Sequence, residues 1–258
     1  MEVVSLCPLR VATVTWRPSP HRLALTLICK ATFRLEPDLS PLHRSQQAPC
    51  RKDQHWKGEP GRSLYAPTDL VPAKPRADVL LVGRARAPEA VPRASIVTRL
   101  HVGEIDKSIE AFGARFFLPG GRLVQAAKIA ELPLRYEAAA GGPGTPNPVG
   151  IARSARDAQG RLVVPNLQPA GLRVAAPGDV VPSVGYGPIA PSWPARAAKL
   201  GPCAALFEAD RWWATALPDG LDPSYFNAAP QDQQVSELHP DEEIDRRPLL
   251  RAHDPRRV

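Results

Sequence analysis

No stretch of this sequence is long and apolar enough to cross a membrane: no hydrophobic run approaches the roughly 18 residues that a membrane-spanning helix requires. Long helix-forming stretches are scarce too, because 31 prolines and 18 glycines are scattered through 258 residues. In a helix interior a proline costs roughly 3 kcal/mol and a glycine about 1 kcal/mol, so an all-helical fold is excluded. The N-terminal run Met1-Glu2-Val3-Val4-Ser5-Leu6-Cys7-Pro8 has no basic region and no apolar stretch ending in small residues, so a secretory signal is not expected. Cysteine is sparse. Cys7, Cys29, Cys50 and Cys203 form no C-x-x-C pair and match no zinc-ligand spacing. Without an export signal they are expected to be reduced thiols in a cytoplasmic protein.

The familiar catalytic strings are missing as well. There is no G-x-S-x-G, no H-E-x-x-H and no phosphate-binding Walker loop, and Gly83, Gly103 and Gly113 do not make a dinucleotide fingerprint. The histidines are isolated in sequence, and His101 falls inside an expected strand. A Cys50–His55 nucleophile pair lacks any activating context. No metal, cofactor or catalytic residue is therefore expected. A hydrolase assembled from loop Asp, His and Asn side chains, with Asp232 and His101 foremost, is the alternative kept open.

What is present is a 43% hydrophobic chain with a net charge of +7, too weakly charged to stay unfolded. The basic residues are scattered except at the end, where Arg246, Arg247, Arg251, Arg256 and Arg257 make residues 246–258 an expected disordered basic tail. Such a charge permits nucleic-acid contact, but no aromatic residues interleave with the basic ones as in a stacking platform, and nucleic acid is not the expected partner.

Alternation from Leu23 to Leu35 marks a long strand. Leu23, Leu25, Leu27, Cys29, Ala31, Phe33 and Leu35 form an expected dry face, and Ala24, Thr26, Ile28, Lys30, Thr32 and Arg34 a wetter one. Val11–Trp16 is the strand before it, with the turn at Pro18 and Pro20. Residues 36–75 read as loops. Asp78–Gly83, apolar on both faces, reads as a central buried strand. Ser95–Phe112 reads as a hairpin turning at Gly103-Glu104, and Arg115–Val124 as a second one turning at Pro119-Gly120-Gly121. Ala126–Tyr136 suits a short helix or a strand. Gly141–Ile151 is a loop of specified shape. Cys203–Trp213 is the best helical stretch. The fold expected is mainly β: loop-rich antiparallel sheets packed as a sandwich-like domain over residues 1–245, strand-rich to 136 and loop-rich from 137, with few short helices.

Several loop strings join rigid Pro and Gly backbone to aromatic or amide side chains. The residues singled out are Trp56, Lys74, Asn147, Asn166, Tyr186, Trp193, Phe226, Asn227, Gln231, Asp232 and Gln233. Two readings stand side by side. These side chains either pin the loops to one another or form a rigid surface that recognises an extended peptide or a protein face. Lys74 is expected to pair locally with Asp69 or Asp78, and Asp232 to cap a turn or a helix start.

In their order along the chain these strings resemble the DUF2169 family of bacterial proteins, from about Thr13 to Glu243. The resemblance rests on Lys30-Ala31-Thr32-Phe33, Asp69–Pro75, Asp78–Gly83, Val102–Gly113, Asn147-Pro148-Val149-Gly150, Pro165-Asn166-Leu167, Gly185–Ile189 and Phe226–Gln233. It implies a cytoplasmic adaptor or chaperone of type VI secretion that binds a toxic effector and helps load it onto the VgrG spike, with no catalytic residue and no membrane. The fused pentapeptide repeats of some members are not seen here. Two departures stand out. Ala138-Ala139-Ala140 replaces a bulkier aromatic before Gly141-Gly142. After Asp241-Glu242-Glu243, where the family pattern continues into β-structure, an Arg/Pro-rich stretch follows, and the loss of a terminal strand there would leave a sheet edge open.

Overall fold

The computed structural model describes residues 3, 6, 8–204 and 216–236. β1 (Arg10–Ser19) and β2 (Arg22–Lys30) form an antiparallel hairpin that turns at Pro20-His21. β3 (Gln54–His55) and β4 (Leu64–Ala66) make a short second pair. Then come β5 (Arg76–Asp78), β6 (Arg84–Arg86), β7 (Ser95–Val102) and β8 (Ile105–Phe112). β9 (Arg115–Phe117), β10 (Leu123–Gln125), β11 (Glu131–Pro133), β12 (Ala140–Gly141), β13 (Ile151–Ala152), β14 (Leu162–Val164) and β15 (Leu167–Pro169) follow. α1 (Pro194–Ala197) is a single turn extended by a 3-10 stretch, Ala198–Cys203, and β16 (Gln234–Ser236) closes the described chain.

The mainly-β, loop-rich expectation holds, and among the described residues all the strand pairs are antiparallel except the parallel contact of β12 with β13. Among the described residues the strands are divided among seven small sheets of two or three strands each, in place of two broad packed layers. Proline explains the division: it brings no ladder donor, so strands end where it recurs. The loop-rich second half is not separate from the first. β14 pairs with β9, β15 with β8 and β16 with β5.

Both expected hairpins form where their turns were placed. β7 and β8 stay in register from Ser95↔Phe112 to Val102↔Ile105, with Gly103 at a φ of +56° in the turn. β9 and β10 pair around Pro119–Gly121, and Ala126–Tyr136 contributes β11. The helix expected over Cys203–Trp213 lies mostly outside the described residues, as do Cys7, His239, His253 and the basic tail. Helical geometry occurs just before it, from Pro194 to Cys203.

Two expectations are corrected. Asp78–Gly83 is not a central strand. Only Asp78 belongs to a sheet, and the run beyond it bonds to loops: Val79 N–H donates to the Gln233 carbonyl and Leu81 N–H to that of Tyr186. A short apolar run specifies burial but not the partner that supplies its hydrogen bonds. The expected dry face of the Leu23–Leu35 segment is the outer one: Leu23 is 68% exposed, Leu25 43% and Leu27 53%, and Phe33 and Leu35 are exposed too. The hairpin packs through its other face, where Val14, Trp16 and Ile28 meet Tyr225, Phe226 and Leu70. Alternation shows that two faces differ, while the layers available decide which face is covered.

The main core lies between β7–β8 and the loops over them, with Ile96, Ile109, Ala111, Leu134, Leu167 and Tyr186. A second cluster joins Leu64, Tyr136, Ile189 and Trp193. Between them the Gly141–Gly150 loop folds around Asn147. The Asn147 amide Nδ2 donates to the carbonyls of Tyr136 at 2.8 Å and Ala140 at 3.0 Å, and its own carbonyl accepts from Gly142 and Gly150. A Cβ on Gly150 would lie 2.3 Å from Asn147 Nδ2 and 2.7 Å from the Ala139 carbonyl oxygen. Gly150→Ala is therefore expected to cost about 1–3 kcal/mol in urea unfolding. Gly83→Ala, whose methyl would meet nothing within 4 Å, is expected to stay within about 0.5 kcal/mol. Equal losses at the two positions would disprove this account of the loop.

Candidate functional site

Three of the loop residues singled out from the sequence, Tyr186, Asp232 and Gln233, meet Lys107 on β8. Tyr186, between two glycines, enters the main core fully buried. Its hydroxyl donates to the Thr98 carbonyl at 2.7 Å and lies 3.2 Å from the Lys107 carbonyl, so it ties β7 to β8 from above. Only glycine fits at position 185, because a Cβ there would fall 2.4 Å from the Tyr136 ring. That ring meets Trp193 edge-on, with centroids 5.1 Å apart.

Gln233 is also fully buried. Its amide nitrogen donates to the carbonyls of Val79 at 2.8 Å and Tyr186 at 3.0 Å, and its amide oxygen accepts from Lys107 Nζ at 2.8 Å. Lys107 also pairs with Asp232 at 2.9 Å. Burial pulls the Lys107 ammonium below its ordinary pKa, and the Asp232 carboxylate works against that fall. Asp232 thus serves as the counter-ion of a half-buried lysine, in place of the expected cap: its short 3-10 turn, Gln231–Gln233, follows Pro230 with no side-chain cap.

Asp78 anchors the same loops from the other side. Its Oδ1 accepts from Asn227 Nδ2 at 2.8 Å, and its Oδ2 accepts from the Ala228 N–H and from Lys74 Nζ, both at 2.9 Å. Asn227 also donates to the Arg76 carbonyl at 2.8 Å. Burial pushes the Asp78 carboxyl up, but Lys74 and the two amide donors together outweigh it and hold the pKa below the ordinary aspartate value. Lys74 therefore pairs with Asp78, while Asp69 pairs with Lys30 at 2.8 Å.

The remaining candidates lie at the margins. Asn166 holds the end of β8 through the carbonyls of Phe112 and Gly113, at 3.1 and 3.0 Å. Trp56 lies under the Arg135 guanidinium, 3.7 Å from its ring, and packs with Tyr65. Phe226 is buried beside Tyr225, and Gln231 is exposed. Tyr186, Asn147, Trp193, Phe226, Asn227 and Gln233 thus turn inward and pin loops. Trp56, Lys74, Asn166, Gln231 and Asp232 reach the surface.

A cleft of about 280 Å³ opens over this hub, and among the described residues Lys107, Arg196, Lys199 and one carboxylate, Asp232, line it. Arg196 is buried and donates to the carbonyls of Tyr225 at 3.0 Å and Ile189 at 2.8 Å. Lys199 donates to Ser224 at 3.0 Å. Burial lowers the pKa of both. These cations chiefly hold backbone carbonyls of irregular loops. Among the described residues Asp232 binds Lys107 and no histidine, and His101 lies exposed on β7 opposite Asp106. The Cys50 thiol donates to the Lys52 carbonyl, and burial raises its pKa, which disfavours a thiolate.

Sequence reasoning missed Lys107 and Arg196 as parts of the hub, and gave Asp78 only as a possible partner of Lys74. It also missed Arg115, whose guanidinium is buried against Phe112, donates to Pro165 and Gln168, and is lowered by burial to about 10. Lys107 and Gln233 are 126 positions apart, and no local pattern signals such a pair.

The family described as "Uncharacterized protein conserved in bacteria (DUF2169)" matches residues 21–256, running past Glu243 almost to the last residue. No curated protein and no solved structure matches the chain.

Asp78 yields a signed prediction. Its folded pKa lies below the unfolded one, so its stabilisation is complete above the unfolded value and is lost as pH falls through the folded value. Asp78→Asn is expected to cost about 1–3 kcal/mol at neutral pH, since an amide would set a donor against other donors. The gap to the native protein should close as pH drops below about 4. Urea titrations at several pH values measure it, and a gap that stays constant into acid would refute the assignment.

Proposed function

The chain belongs to the DUF2169 family, and we propose that it acts as a non-catalytic adaptor in the cytoplasm, binding a toxic effector and assisting its loading onto the VgrG spike of a type VI secretion system. The observation that carries this reading beyond the family is the pinned hub. Gln233, Tyr186, Asn227 and Asp78 fix the Gly185–Trp193 and Phe226–Gln233 loops to the sheets without a continuous ladder. Loops held this way are ordered before a partner arrives, so less conformational entropy is lost on binding. A preorganised, partly apolar surface is what a protein that captures another protein needs.

Co-expression of the tagged chain with the toxin and spike encoded beside it tests the reading. A stable complex with the toxin is expected, together with loss of toxin from the purified spike when the chain is left out. Toxin that loads equally well without it would end the adaptor reading. A turnover abolished by Asp232→Ala would favour the hydrolase instead.

A further inference from the structure

Arg196 and Lys199 stand three positions apart, on α1 and the 3-10 stretch that extends it. Side chains at that spacing share one face of a helical turn. Both line the cleft over the hub, to which β8 brings Lys107 and the turn Gln231–Gln233 brings Asp232. Among the described residues three cations thus meet one carboxylate there, and Lys107 already holds it at 2.9 Å. Arg196 and Lys199 form no ion pair among the described residues, and the donors they use go to carbonyls. Asp222, near enough to favour the charged form of Lys199, accepts the Ser224 N–H instead.

These contacts leave capacity for an anion. An ammonium has three donors, and the one partner of Lys199 among the described residues is the Ser224 carbonyl at 3.0 Å. Burial disfavours the charged form of Lys107, Arg196 and Lys199 alike, so each gains from a negative charge brought beside it. The Nε and Nη1 of Arg196 are held by the Tyr225 and Ile189 carbonyls, which takes up donors that a bidentate hold on phosphate would need. Asp232, in the same wall, opposes a dianion more than a monoanion. Val184, Ile189 and Pro230 give the cleft an apolar side that suits a hydrocarbon chain. At about 280 Å³ it falls just below the range of roughly 300–1,000 Å³ usual for ligand pockets, so its occupant is small.

We propose that this cleft binds a carboxylate on a short aliphatic chain, with the carboxylate at Lys199 and Lys107 and the chain against Val184 and Ile189. Two sources share that chemistry: a small aliphatic acid and the carboxyl-terminal residue of a polypeptide. The site stands on its own observations and does not rest on the adaptor role. A chain that binds such a carboxylate and recovers no toxin would lose the role and keep the site.

The probe is pentanoate, titrated against the full chain by calorimetry at fixed ionic strength. Saturable binding is expected, weakened about tenfold by Lys199→Gln, whose amide can still donate to the Ser224 carbonyl and so spares the fold. Asp232→Asn removes the competing carboxylate and is expected to tighten binding about threefold or more. A merely structural role for these two residues would not move the affinity in opposite directions. An acetylated glycine-serine peptide ending in leucine separates the sources. Binding at least about tenfold tighter than pentanoate, and lost on amidation of its end, assigns the site to a polypeptide terminus; peptide binding no tighter than pentanoate assigns it to a small acid. The proposal is overturned by the lack of saturation below about 50 mM pentanoate. Pentanamide or inorganic phosphate binding as tightly as pentanoate would overturn it too, as would an Asp232→Asn variant that binds no better than the native chain.

Discussion

A chain with 31 prolines and 18 glycines cannot hide its backbone in long ladders, yet buried N–H and C=O groups must find partners. Everything else in this fold follows from how that demand is met. The partners are side chains. The Gln233 amide takes carbonyls from two loops and receives a lysine, Asn147 and Asn166 each hold two carbonyls, and Asn227 holds the Arg76 carbonyl and the Asp78 carboxylate. An amide offers donors and an acceptor on one rigid plane, so it can replace a missing stretch of strand. The cost appears where geometry fails: Asn147 Oδ1 and Asn227 Oδ1 are buried without a partner. An unmet buried acceptor costs about 1–3 kcal/mol. Both residues keep their two donor bonds all the same.

The cations obey the same logic. Lys107, Arg115, Arg196 and Lys199 would read as basic surface in a composition, but each donates to a carbonyl or an amide oxygen of an irregular segment. Guanidinium groups suit this work because several donors lie in one plane and aromatic faces can cover them, as Phe112 covers Arg115 and Phe116 covers Arg161. A net charge of +7 therefore overstates the basic surface available to a polyanion. The surface charge that remains is local, and the hairpin ends hold a part of it.

What the sequence revealed was short-range. Gly103-Glu104 and Pro119-Gly120-Gly121 fixed two hairpins because turn geometry is set by a few adjacent residues. The Gly141–Ile151 run was readable as a loop of defined shape for the same reason. The hub was legible only as a set of unusual strings. That Tyr186, Asn227 and Gln233 turn inward depends on contacts with β5, β7 and β8, far away in the chain. Asp78–Gly83 was read as a strand because its composition shows burial, whereas its hydrogen-bond partners lie in loops that one sequence cannot place.

That reversal of faces separates anchoring from exposure within one hairpin. The inner face, through Val14, Trp16 and Ile28, secures the hairpin to the Tyr225–Phe226 cluster. The outer face can then change without loosening that anchor, because side chains on opposite faces of a strand share no packing partners. An exposed leucine row beside an open edge invites self-pairing, and natural edges commonly resist it with basic residues. Here Arg22 stands at the turn end of β2, and Lys30, paired with Asp69, at the other.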